Sequence, residues 1–100
     1  SEKLISNYHV NKAILCCKGM DIERGIMDSN EQEAEIKKEM AKCADEVLFL
    51  VDHIKFNRTS FVRLMDFEDI DAVYTDEEIS EEWKKVFKEN NVKVVIHYKN

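Results

Sequence analysis

The sequence of 100 residues has no proline and only two glycines, Gly19 and Gly25. Flexible and semi-rigid linkers are built from those residues, so their scarcity excludes a chain of tethered modules and leaves a single folding unit. No apolar run approaches the roughly 20 residues that a membrane helix needs, and the opening "SEKLISNYHV" lacks the apolar segment of a signal peptide. A cytoplasmic address and no membrane partner are therefore expected. Cations are also in short supply, with 15 Lys and Arg against 21 Asp and Glu, a net charge of −6. Phosphate backbones attract basic surfaces, so nucleic-acid binding by this chain alone is not expected. The deficit is sharpest between Asp66 and Glu82, where nine carboxylates occur without one Lys or Arg. Such a run reads as solvated surface.

The three cysteines, Cys16, Cys17 and Cys43, form no C-x-x-C pair, and adjacent cysteines are poorly placed to close a ring with each other. They read as reduced, largely buried small hydrophobes, and no spacing with His9 or His53 marks a metal site. "NRT" at Asn57 fits a glycosylation acceptor, a chance match in a chain of this expected compartment.

What the chain does have is core material: 44% hydrophobic residues, with five Phe, three Tyr and one Trp. Four short runs, 12–17 ("KAILCC"), 47–51 ("VLFLV"), 71–75 ("DAVYT") and 92–98 ("VKVVIHY"), have the composition and length of strands. Two stretches between them have helical periodicity. In 31–47, Ile36, Met40, Cys43 or Ala44, and Val47 recur at helical spacing, with Ser29 as the expected cap. In 77–91, Ile79, Trp83, Val86 and Phe87 form a stripe, with Thr75 and Glu78 as a capping box and Asn90 or Asn91 as the end. Apolar strands alternating with amphipathic helices predict an α/β fold, a mostly parallel sheet with helices on both faces.

Parallel sheets bind ligands beyond the carboxyl ends of their strands, and Asp52 and Lys55 stand at such an end. Residues 53–65 hold Lys55, Arg58 and Arg63 with no acid among them, so a locally positive potential is expected. Asp52 is suited to accept hydrogen bonds and Lys55 to meet a phosphate as a compact charge. The alternative is bland: Asp52 capping a turn, the cations simply solvated, and His53 an exposed turn residue.

In order along 11–76, "KGMDIERGI", "EAEIKKEM", "LVDHIKF" and "FEDIDAVYTD" resemble the glycine-bearing turn, the E-a-e-v-K-x-x-M helix, the D-x-x-K-F motif and the l-x-d-I-D-x-l-i-T-D segment of the effector-sensing domain of DeoR-type bacterial transcription regulators. The resemblance implies an α/β fold like that of sugar-phosphate isomerases, CoA-transferases and glucosamine-phosphate deaminases. It also implies a sensor that binds a phosphorylated sugar without turning it over. Lys55 then becomes the phosphate or sugar contact and Asp52 its orienting partner. Gly19 and Asp21 fall on the turn, where glycine permits close backbone approach or positive φ. Glu33 and Lys37 fall on the helix motif, with Glu33 at the pocket mouth.

The turn departs from the family pattern, with Cys16 where Gly is frequent and Lys18 where Asn or Asp is frequent. Lys18 thereby adds charge to the site, and Arg58 completes the expected set. Asn57 stands where the family usually has Gly, and asparagine tolerates left-handed backbone.

Resembling regulators carry a winged helix-turn-helix and a phosphate-binding loop upstream. The whole of 1–100 is therefore expected to be one partial sensor domain, acting on DNA only through that further domain and self-associating as a homo-oligomer. No cofactor is implied. The alternatives are a fragment of a sugar-phosphate isomerase or deaminase, with Asp52 or Glu33 as base, and an interaction module with a decayed pocket. His9, His53 and His97 are scattered, which weighs against the enzyme.

Overall fold

The computed structural model describes residues 9–97. The chain runs β1 (Val10–Cys16), β2 (Gly19–Asp21), β3 (Gly25–Asp28), α1 (Glu31–Lys42), β4 (Ala44–Val51), β5 (Val62–Met65), β6 (Ala72–Thr75), α2 (Glu81–Glu89) and β7 (Lys93–Ile96). Two 3-10 turns, His53–Lys55 and Phe67–Asp69, follow β4 and β5. Tyr98, included in the last expected strand, and most of the leading stretch lie outside the described residues.

Strands β1, β4, β6 and β7 form a parallel sheet in that order. The register sets Leu15 beside Phe49 and Phe49 beside Val73, so one face is lined by Ala13, Leu15, Phe49, Val51 and Val73. Those side chains share one buried core with Met20 and Ile26, with Ala34 of α1, with Leu64 and Met65, and with Trp83 and Phe87 of α2. All three crossovers therefore pack on the same face. The order explains this: it advances across the sheet in one direction, and right-handed crossovers then all fall on one side.

A second sheet was not legible in the periodicity. Strands β2, β3 and β5 form a three-stranded antiparallel unit, and the glycine-bearing turn is its β2–β3 hairpin. Gly25 sits at φ 91°, which an L side chain rarely adopts.

Both helices are shorter than the sequence pattern predicts. Helix α1 stops at Lys42 and the chain turns at Cys43 into β4, because Ala44, Glu46 and Val47 pair with β1 instead of extending the helix. Its cap is Asn30, not Ser29: the Asn30 side chain accepts from Glu33 N–H at 2.8 Å, while the Ser29 hydroxyl donates to the Glu33 carboxylate at 3.2 Å. The cap of α2 is Ser80, which accepts from Trp83 N–H at 3.2 Å, and not Thr75, which lies in β6. The α2 stripe matches expectation, with Trp83 and Phe87 buried and Ile79 and Val86 packed at the margin. On α1, by contrast, Ala34 is the residue turned inward, and Ile36 and Met40 remain exposed on its flank.

Candidate functional site at the carboxyl edge of the sheet

Strands β1, β4 and β6 are adjacent and parallel, so the residues that follow them share one edge: Cys17 and Lys18, then Asp52–Lys55, then Asp76. Lys55 closes the 3-10 turn and its N–H returns to the Asp52 carbonyl at 2.9 Å. Asp52 stands at the N-cap position, yet its side chain makes no capping bond and is exposed. Among the described residues the ammonium groups of Lys18 and Lys55, the Arg58 guanidinium and the Asp52 carboxylate have no hydrogen-bond or ion-pair partner.

Other cations at this end of the molecule are engaged. Lys37 donates from α1 to the fully buried Asp28 carboxylate at 2.9 Å and to the Cys16 carbonyl at 2.9 Å, closing the end of β1. Arg63 meets Asp66 at 3.0 Å. The 53–65 stretch is therefore acid-free along the chain but not in space, since Asp76 and Glu77 also come up against it from β6. His53 Nδ1 lies 3.1 Å from Asp76 and 3.2 Å from Glu77, and His53 N–H donates to Asp76 at 2.8 Å. His53 is an exposed turn residue, as its sequence position predicts, and it also has an acidic partner.

That histidine holds the Asp76 carboxyl below its ordinary value of 3.8, mainly through the side-chain hydrogen bond. A native value below the unfolded one stabilises the fold above pH 4, and this stabilisation fades as pH falls through the lowered value. In His53→Ala, Asp76 is expected to titrate closer to 3.8, followed by NMR. An unchanged midpoint would assign the shift to other groups.

The remaining expected site residues divide between two clefts. Lys18 and Glu33 line a groove between the end of β1 and α1, together with Cys16 and Lys37. Asp21 lines a separate polar cleft with Arg24, Asn57, Thr59 and Glu82. There Asp21 is occupied locally, accepting from the N–H groups of Glu23 (3.2 Å) and Arg24 (2.9 Å), which shapes the hairpin.

Gly19 makes a close approach possible: a Cβ there would stand 2.2 Å from the Arg58 carbonyl oxygen. The loop after Lys55 is thus laid directly on β2, with Arg58 N–H donating to the Met20 carbonyl at 3.2 Å. Asn57 has φ 62°, the left-handed conformation that asparagine tolerates. Sequence reasoning did not single out Asp28 or Asp76. Asp28 carried no motif, whereas Asp76 ends the "YTD" of a quoted segment.

The family model for the C-terminal sensor domain of DeoR matches residues 1–77. The chain belongs to the DeoR C-terminal sensor domain family. Its relatives within DeoR-type regulators include an uncharacterized HTH-type transcriptional regulator, YulB, of Bacillus subtilis, 33% identical over 94% of this chain and 36% of its own length. The L-fucose operon activator of Haemophilus influenzae is 28% identical over 96% of the chain and 39% of its own length. A protein named as a putative aga operon transcriptional repressor in Escherichia coli O157:H7 is 30% identical over 96% and 36%. The DeoR-type sensor sequence thus spans little more than a third of the relatives it matches. Family and relatives are transcription regulators, not enzymes.

Proposed function

We propose that this chain is the ligand-sensing portion of a DeoR-type repressor, and that it binds a phosphorylated sugar at the carboxyl edge of the parallel sheet. The observation that carries the reading is Lys55: its ammonium stands unpaired beyond β4, while Lys37 and Arg63 are tied to acids. Lys55 contacts the phosphate and Asp52 accepts from sugar hydroxyls. Lys18 and Arg58 add positive charge from either side, and Glu33 stands at the mouth of the neighbouring groove. Gly19 and Asp21 act one step back, by seating the 56–58 loop and shaping the hairpin beneath it.

Relatives named for an L-fucose operon and an aga operon support carbohydrate genes as the regulated set. DNA is reached through another part of the longer, homo-oligomeric protein, in the cytoplasm. Effector binding shifts the population of two sensor conformations that this DNA-binding part reads differently.

The test is calorimetric binding of phosphorylated and plain sugars to the regulator that carries this chain, with sulfate as a control for generic anion effects. Lys55→Ala is expected to weaken the phosphorylated ligand by roughly 10- to 100-fold, the scale of a lost charge-assisted hydrogen bond, and the plain sugar far less. Equal losses for both would remove the phosphate role from Lys55.

A further inference from the structure

Beyond the ends of β4 and β6 the described residues bring together a mixed set of metal-ligating side chains, His53, Asp76 and Glu77, whose donor atoms all lie within 4.8 Å of one another. No local motif marks the set, because His53 and Asp76 are 23 residues apart in sequence. They meet because β4 pairs in parallel with β6, Val51 beside Thr75, so that the residues following each strand emerge side by side.

Hydrogen bonding alone accounts poorly for this arrangement. His53 Nδ1 has Asp76 Oδ1 at 3.3 Å, Asp76 Oδ2 at 3.1 Å and Glu77 Oε2 at 3.2 Å. An imidazole nitrogen carries at most one hydrogen, so it serves only one of these oxygens well. The two carboxylates also repel each other, and the single charge of an imidazolium balances one of them. Glu77 is 59% exposed and free to turn to water, yet it stands against the ring. A divalent cation removes both difficulties, since it accepts electron pairs from all three donors and its charge balances both acids.

The geometry suits such an ion. Zinc bonds of about 2.0 Å set neighbouring donors about 3.3 Å apart in a tetrahedron, close to the 3.1 and 3.2 Å found here. Asp76 is also held in place, because its Oδ1 accepts from the His53 backbone N–H at 2.8 Å while Oδ2 faces the ring. Ligating carboxylates are commonly hydrogen-bonded in this way by an outer layer of donors. The imidazole favours Zn²⁺, Co²⁺ or Ni²⁺ over Mg²⁺ and Ca²⁺, which prefer shells made of oxygen alone.

We infer that His53, Asp76 and Glu77 form a binding site for a divalent transition-metal ion such as Zn²⁺, with three protein ligands and the remaining position open to solvent. The bound ion ties the turn after β4 to the end of β6. Lys55 closes that same turn, so occupancy also fixes the segment that presents its ammonium group. Metal binding is read without any sugar, so its failure is distinct from a failure of the effector reading.

The experiment uses the metal-stripped full-length regulator in a Cys16→Ser background, which removes an exposed thiol that could take the ion. Cys17 and Cys43 are buried, and burial pushes the Cys17 thiol up to about 11, which disfavours its thiolate. Zn²⁺ and, for comparison, Mg²⁺ are titrated by calorimetry, and Co²⁺ is followed by visible absorption.

The expected result is one Zn²⁺ per chain in the micromolar range that is lost in His53→Ala, no matching heat from Mg²⁺, and a Co²⁺ spectrum without intense thiolate charge transfer. Glu77→Gln alters an exposed side chain and leaves the fold intact. It is expected to weaken Zn²⁺ by at least the roughly 10-fold that loss of even an outer-layer partner costs. Zn²⁺ binding no tighter than millimolar would overturn the inference. So would binding that is unchanged in both His53→Ala and Glu77→Gln, which would assign the ion to donors elsewhere in the longer protein.

Discussion

Lys37→Met is expected to cost about 3 kcal/mol of folding stability, the lower end of the range for removing one partner of a buried ion pair. Asp28 is fully buried at the end of β3, where one carboxylate oxygen accepts from Ser29 N–H and the other from Lys37. Methionine keeps most of the apolar stem of lysine but leaves an ionised carboxylate in the interior with a single donor. It also orphans the Cys16 carbonyl that Lys37 caps. Lys37 is 21% exposed, so water can partly replace the ammonium, which sets the estimate at the low end. Asp28→Asn in the same background removes the stranded charge and is expected to return a good part of the loss. Urea denaturation followed by circular dichroism measures both, and a loss under about 1 kcal/mol would mean that Asp28 does not depend on this lysine.

Trp83→Ala is expected to be at least as damaging, about 3–5 kcal/mol. The indole is 1% exposed and meets Phe56 edge-on at 5.1 Å and Phe67 at 5.5 Å, with Phe87 tilted against it at 5.5 Å. Truncation empties the space where α2, the second sheet and the post-β4 loop converge. The indole N–H donates to the Asn57 side chain at 3.0 Å, so Trp83→Phe separates packing from hydrogen bonding. That variant keeps an aromatic ring and is expected to lose only about 1–2 kcal/mol, the hydrogen bond plus a small void. Thermal unfolding of the two variants decides the matter, since similar losses would mean that the ring packing contributes little.

The α/β class, the parallel sheet and the α2 stripe were legible because long apolar segments advertise their period. Boundaries were not. Ala44–Glu46 continues the helical pattern of α1, and only pairing with β1 turns it into strand. Strands β2, β3 and β5 have three or four residues, too few for an alternation to emerge. Ser29 and Asn30 are both good caps one residue apart, and local geometry chose the second.

Of the site, the position of Lys55 beyond a strand could be read from the sequence. What could not be read is which cations other residues had claimed. Lys37 finds Asp28 nine residues back across a strand and a helix, and His53 finds Asp76 through the pairing of β4 with β6. Likewise the groove by β1 collects Lys18 and Glu33 because α1 folds back over the strand end, a tertiary event that no local motif records.

The loop that presents Lys55 is fastened to three elements: to β2 through Arg58, to α2 through the Asn57–Trp83 bond, and to the end of β6 through His53 and Asp76. The fastening to α2 uses the one tryptophan of the sequence. Any ligand that pulls on this loop also disturbs the electrostatic surroundings of the chain's sole indole. The protein thus carries its own optical gauge, and any movement of the Lys55 loop becomes readable as a change in ultraviolet emission without attaching a dye.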